Sequence, residues 1–115
     1  MQPATRDFEI VRGSSVPLRF SLSTITDGAT TVSATWDSAV LSIVGPDFSV
    51  RYSTEDGGLT RAEDGTVTWL PTAAETRSLP AGRVNSYELE FRWSNGEQWV
   101  VLAGTINGVG GLNDD

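Results

Sequence analysis

Three observations predict an all-β chain folded as an antiparallel β-sandwich. Apolar residues recur at every second position in several runs, most clearly Tyr87, Leu89, Phe91 and Trp93 set between Glu88, Glu90 and Arg92. That period belongs to a strand with one dry face and one wet face. Turn-forming residues separate the runs at roughly 8 to 12 residue intervals, and no long helical period appears between them. About seven or eight strands fit a sandwich of this size, with a barrel as the alternative. The 115 residues suit one domain over 1–106, followed by a Gly/Asp-rich tail or arm over 107–115.

Taken in order, Phe8 and Ile10 alternate with Asp7 and Glu9 as a first strand of edge character, and Arg12-Gly13-Ser14-Ser15 breaks it. Val16, Leu18, Phe20 and Leu22 make the next strand, which begins near Pro17 because proline donates no ladder hydrogen bond. Thr26-Asp27-Gly28-Ala29 turns the chain. Val32, Ala34 and Trp36 then alternate, followed by Leu41 and Ile43. After the Gly45-Pro46-Asp47 breaker, Phe48, Val50 and Tyr52 form another strand. Glu55-Asp56-Gly57-Gly58 turns into a short strand at Leu59 to Arg61, and Asp64-Gly65 favours a tight hairpin into Thr66 to Leu70.

One segment departs from this rhythm. Thr72-Ala73-Ala74-Glu75 has the form of a capping box, which predicts one short helical turn near 72–78 stopped by Pro80 and Gly82. Leu79 is its expected plug into the core.

The clearest hairpin spans Ser86 to Ile106 with its turn at Ser94-Asn95-Gly96-Glu97, and two registers are open. A loop of two or four residues around Asn95-Gly96 sets Phe91 opposite Val100 and Leu89 opposite Leu102, leaving Trp99 and Val101 on the charged face with Arg92 and Glu90. A type I turn plus bulge through Ser94, Asn95 and Gly96 instead sets Phe91 opposite Trp99 and Leu89 opposite Val101. The first register is preferred, since it keeps Leu102, Gly104 and Ile106 inward without a further bulge.

Composition bounds the chemistry. The sequence has no Cys and no His, so it lacks thiolates, disulfides, an imidazole base and the usual zinc or non-haem iron ligands. No catalytic, cofactor-binding or metal-binding residue is assigned. Lys+Arg 8 against Asp+Glu 15 gives a net charge of −7, which disfavours nucleic acid and anionic membranes as partners. The opening MQPATRDFEI has no basic-then-apolar signal, and no apolar run approaches the ~20 residues of a membrane span. A soluble, non-enzymatic protein made in the cytoplasm is therefore expected.

Glu88 and Glu90 share one strand face at a separation of interest to a glycosidase, but a solvated face of mixed charge explains them more simply. Glu55-Asp56 and Glu63-Asp64 read as turns rather than Ca²⁺ loops. Trp36 and Trp69 are expected in the core, and Trp93 as a cap on one end of it. Trp99 is the open case: on the wet face it would stack on Arg92 and form an apolar docking patch with Val101. The candidate partner interface is therefore Arg92, Trp99 and Val101, joined by Asn107, Val109 and Leu112 of the tail.

Several stretches follow one another in a recognisable order. They are Arg12-Gly13 before a strand, Ser53-Thr54-Glu55-Asp56-Gly57-Gly58-Leu59-Thr60, Asp64-Gly65-Thr66-Val67-Thr68, Ser78-Leu79-Pro80-Ala81-Gly82, Tyr87-Glu88-Leu89-Glu90-Phe91 and Gly104-Thr105-Ile106. From about Arg12 to Ile106 the chain resembles small β-sandwich virion proteins of tailed phages and prophages, akin to the N-terminal domain of phage baseplate upper proteins. It departs from them at Val84-Asn85, where such proteins place an aromatic, and in its short Ser94 to Glu97 turn. The resemblance implies an immunoglobulin-like sandwich and a non-enzymatic virion component of the tail, neck or baseplate. Its implied partners are other virion proteins and copies of itself. A capsid decoration protein and a carbohydrate-binding module are the alternatives.

Overall fold

The computed structural model describes residues 4–20, 24–27, 30–33, 36–62 and 66–110. They form strands β1 (Ala4–Thr5), β2 (Phe8–Val11), β3 (Leu18–Phe20), β4 (Thr24–Asp27), β5 (Thr30–Ser33), β6 (Ser38–Gly45), β7 (Phe48–Ser53), β8 (Leu59–Arg61) and β9 (Val67–Trp69). Helix α1 (Ala73–Arg77) and the long strands β10 (Gly82–Arg92) and β11 (Gln98–Val109) follow, and the described residues are all-β apart from that helix.

The larger sheet runs β1-β11-β10-β6-β7, with β2 following β1 along the same side of β11. The smaller sheet is β3-β9-β8, and β4 with β5 makes a separate hairpin. All pairings are antiparallel except those of β1 and β2, which lie parallel to β11. That parallel margin corrects the wholly antiparallel expectation. Its geometric reason is that the chain leaves the large sheet at Val11, opposite Val109, to enter β3 of the small one.

The two sheets share one core. Phe20, Leu59, Val67 and Trp69 come from the small sheet, and Leu41, Ile43, Tyr87, Leu89, Phe91 and Ile106 from the large one. Trp36, just before β6, is fully buried and stacks on Phe91 at 4.7 Å between ring centroids. The Arg61 guanidinium covers the indole at 4.4 Å and donates to the Trp36 carbonyl at 2.7 Å. Burying a large apolar side chain stabilises by about 1.5–3 kcal/mol, so this cluster dominates the fold.

The capping box forms as expected. Thr72 Oγ1 accepts from the Glu75 amide at 3.1 Å, and Glu75 Oε1 accepts from the Thr72 amide at 2.9 Å. Leu79 follows at 1% exposure, fixed in the core. The turn predicted at Asp64-Gly65 lies outside the described residues, although β8 and β9 flank it as an antiparallel pair.

The hairpin combines the two registers. Trp93 N–H donates to the Glu97 carbonyl and Gly96 N–H to the Trp93 carbonyl, each at 3.0 Å, with Gly96 at φ 95. This is the three-residue turn with a left-handed glycine, and it sets Phe91 opposite Trp99. One further bulge, with Val101 as the extra residue, then restores Leu89 opposite Leu102. The preferred register is thus corrected near the turn and holds beyond the bulge. Burial is the reason: the bulge places Val101 and Leu102 in the core at 0% and 5% exposure, and Trp99 against it.

A second correction concerns the tail. Asn107 to Val109 continue β11, paired with Glu9 to Val11 of β2. The neighbouring strand supplies backbone partners to this glycine-rich segment, which short-range composition does not reveal.

Candidate interaction surface

Two of the stretches that suggested a family order, Arg12-Gly13 and Ser78 to Gly82, meet in one structural knot. Arg12 Nε donates to the Leu79 carbonyl at 2.8 Å, and its terminal nitrogens to the carbonyls of Arg77 at 3.1 Å and Gly110 at 3.5 Å. Gly13, at φ 85, donates its N–H to Thr76 Oγ1 at 3.0 Å, and that hydroxyl donates to the Ser14 carbonyl at 2.7 Å. Only glycine adopts this left-handed turn without strain. Asn85, fully buried, donates to the carbonyls of Pro80 at 2.9 Å and Ile106 at 3.3 Å. The knot ties β2, α1 and the end of β11 together, so these motifs act as a scaffold.

Two hydroxyls reinforce it. Tyr87 donates to the Arg6 carbonyl, and burial, with the Asp7 carboxylate adding to it, pushes its pKa up to about 12. Tyr52 is raised well above the usual phenol range by burial and by its hydrogen bond to Glu75. Glu75 in turn is lowered, first by the Thr72 amide and then also by Tyr52. Tyr52 thereby links β7 to α1.

The expected interface residues do not share one surface. Arg92 Nε pairs with Glu90 Oε1 at 2.5 Å instead of carrying Trp99. Trp99 is half-buried, facing the core and meeting Trp93 edge-on at 5.9 Å. Val101 is fully buried, which removes it from any docking patch. Asn107 lies in an open groove of about 320 Å³ with Asp7, Glu9, Arg83 and Thr105, and Val109 is paired within the sheet. Leu112 lies outside the described residues.

What the molecule does present is a pair of unlike sheet margins and an apolar cleft. The cleft, about 170 Å³, lies between β2 and the start of β3 and is lined by Ile10, Val11, Val16, Leu18, Trp69 and Pro71 among others. Val11, Val16 and the nearby Leu70 are more than half exposed, at 53%, 70% and 56%. The β7 margin pairs only with β6 among the described strands. Thr54 N–H donates to Ala39 O of β6, whereas Ser53 N–H points away from β6 to Asp56 Oδ1. Alternation then directs the backbone groups of Ser49 and Arg51 outward as well. No sequence motif marks this edge; the signal was an alternating run whose neighbour in space could not be read from order.

Among the described residues no cluster of carboxylates is arranged to hold a metal ion, and no helix is long and apolar enough to cross a membrane. Compared with known proteins, the chain matches no family model and no curated protein.

Proposed function

We propose that this chain is a non-enzymatic structural protein of a tailed-phage virion, an immunoglobulin-like sandwich that works in assembly at the tail, neck or baseplate. The observation that carries the reading is the bare β7 margin: a regular six-residue strand with no proline, bulge or inward charge. Such an edge is a template for pairing with another protein.

The strand order supports the finer fold. Sheets β3-β9-β8 and β11-β10-β6-β7 correspond to the B-E-D and G-F-C-C′ order of variable-type immunoglobulin domains. Trp36 stands at the entrance to the strand equivalent to C, fully buried. The absence of His and Cys from the sequence removes the commonest acid-base and nucleophilic side chains. The carbohydrate-binding alternative loses its platform, since Trp93 and Trp99 meet edge-on instead of lying coplanar.

The test is peptide mass spectrometry of purified particles from a host carrying the gene, with the gene then deleted. The chain should be a stoichiometric particle component, and its loss should halt assembly at tails or baseplates. Recovery on filled heads would assign it to capsid decoration instead. Its absence from particles would overturn the reading.

A further inference from the structure

We propose that the β7 margin pairs with the β7 margin of a second copy, antiparallel about a two-fold axis at Val50, so that two large sheets become continuous. The inference rests on the assembly reading and names its partner and register. Three features of the described strand bear on that register: face, then charge and overlap select it, and hydrogen bonding is compatible with it.

The first is the face. Phe48, Val50 and Tyr52 are half-buried toward the core while Ser49 and Arg51 are exposed, so only residues of like parity can oppose each other. This leaves the axis at Ser49, Val50 or Arg51. The second is charge. An axis at Arg51 would set two guanidinium groups directly opposite, which is destabilising. An axis at Ser49 shortens the overlap, because Asp47 has left the extended region at φ 51 and Pro46 precedes it. An axis at Val50 sets Phe48 against Tyr52 and Ser49 against Arg51, with Asp47 diagonal to the partner's Arg51.

The third feature is hydrogen bonding. The outward backbone groups belong to Ser49 and Arg51, and this register opposes those two residues to form reciprocal N–H to carbonyl bonds. The strand itself carries Arg51 and no carboxylate on a chain of net charge −7, so it sets no carboxylate against a carboxylate between copies. Pairing one short edge buries less than about 1,200 Å², which makes a weak contact suited to repetition in a symmetric array.

The chain has no cysteine, so a single introduced one reports position. Across the axis, position 50 forms a pair with Cα atoms ~4.5 Å apart, within disulfide reach, whereas positions 49 and 49 lie beyond ~7 Å. Under mild oxidation Val50→Cys should run as a covalent dimer on a non-reducing gel, and Ser49→Cys should stay monomeric. In sedimentation, Ser49→Arg should weaken dimerisation by on the order of tenfold, and adding Arg51→Glu to it should restore it.

A monomeric Val50→Cys, equal linking of Ser49→Cys, or a double variant as weak as Ser49→Arg would overturn the pairing. Circular dichroism of each variant establishes that it is folded. If the chain is found in particles while Val50→Cys stays monomeric, only the pairing fails. If Val50→Cys links while the chain is missing from particles, only the virion role fails.

Discussion

At one margin of the large sheet the chain lays its own first strands over β11, whereas at the other no described strand lies beyond β7 and half its backbone groups are directed outward. The covered margin is held by Arg12, by the Tyr87 hydroxyl and by Phe8, whose ring packs on Phe20 at 5.5 Å and Tyr87 at 5.4 Å. It also displays charge, with Arg6, Asp7 and Glu9 all exposed. Strand β7 itself carries Arg51 as its one charge. The difference teaches that a sheet edge is closed by long-range contacts made by distant residues, not by the composition of the edge strand itself.

The strongest way to sharpen that comparison is a pair of prolines on β7. Val50→Pro removes an N–H directed at β6 and should cost about 3 kcal/mol or more. Ser49→Pro removes one directed at solvent and should cost less than about 1 kcal/mol. Chemical denaturation measures both; equal costs would mean that the outward direction of Ser49 is wrong.

At the covered margin, Arg12→Ala should lose about 2 kcal/mol, the scale of hydrogen bonds from a charged donor. Amide exchange should quicken at residues 8–11 and at 106–109 while that of β6 and β7 is unchanged. Exchange that rises uniformly would show the knot to be no local clamp. A smaller loss, about 1 kcal/mol, is expected for Thr72→Ala, which removes the helix cap. It should also loosen Tyr52 through Glu75, visible in the near-ultraviolet circular dichroism.

The remaining effects come from pH and appear only outside the neutral range. Tyr87 has its folded pKa raised to about 12 from 10.0, so its contribution is complete below 10.0 and is lost as pH climbs between those values. Phenolate absorbance should therefore appear in the native protein only well above the ordinary tyrosine midpoint. Glu75 is shifted the other way: its contribution is present above 4.5 and fades as pH falls below it. Glu75→Gln should flatten the acid limb of the Tm profile; an unchanged limb would count against the capping box as its source.

Much of this was legible locally. The alternation of Tyr87, Leu89 and Phe91, the turn at Pro46-Asp47, the capping box and the core places of Trp36, Trp69 and Leu79 all follow from period, turn chemistry and burial, which act over a few residues. The interface candidates were less accessible. Val101 was assigned to the wrong face because a single bulged residue reverses the parity of everything beyond it, and the alternating pattern of β11 accommodates either parity. Asn107 to Val109 looked like a tail because their partner, β2, lies about a hundred residues away.

By itself the sequence determined the all-β class, the strand and turn order, the capped helix and a surface without imidazole or thiol chemistry, since each depends on side-chain type and short spacing. Only the tertiary structure decided which strand lies beside which: the parallel closure of β11 by β2, the Arg12 knot and the open margin of β7. Backbone hydrogen bonds carry no side-chain signature, so pairing between remote segments is settled by packing the whole core and cannot be read from either segment alone.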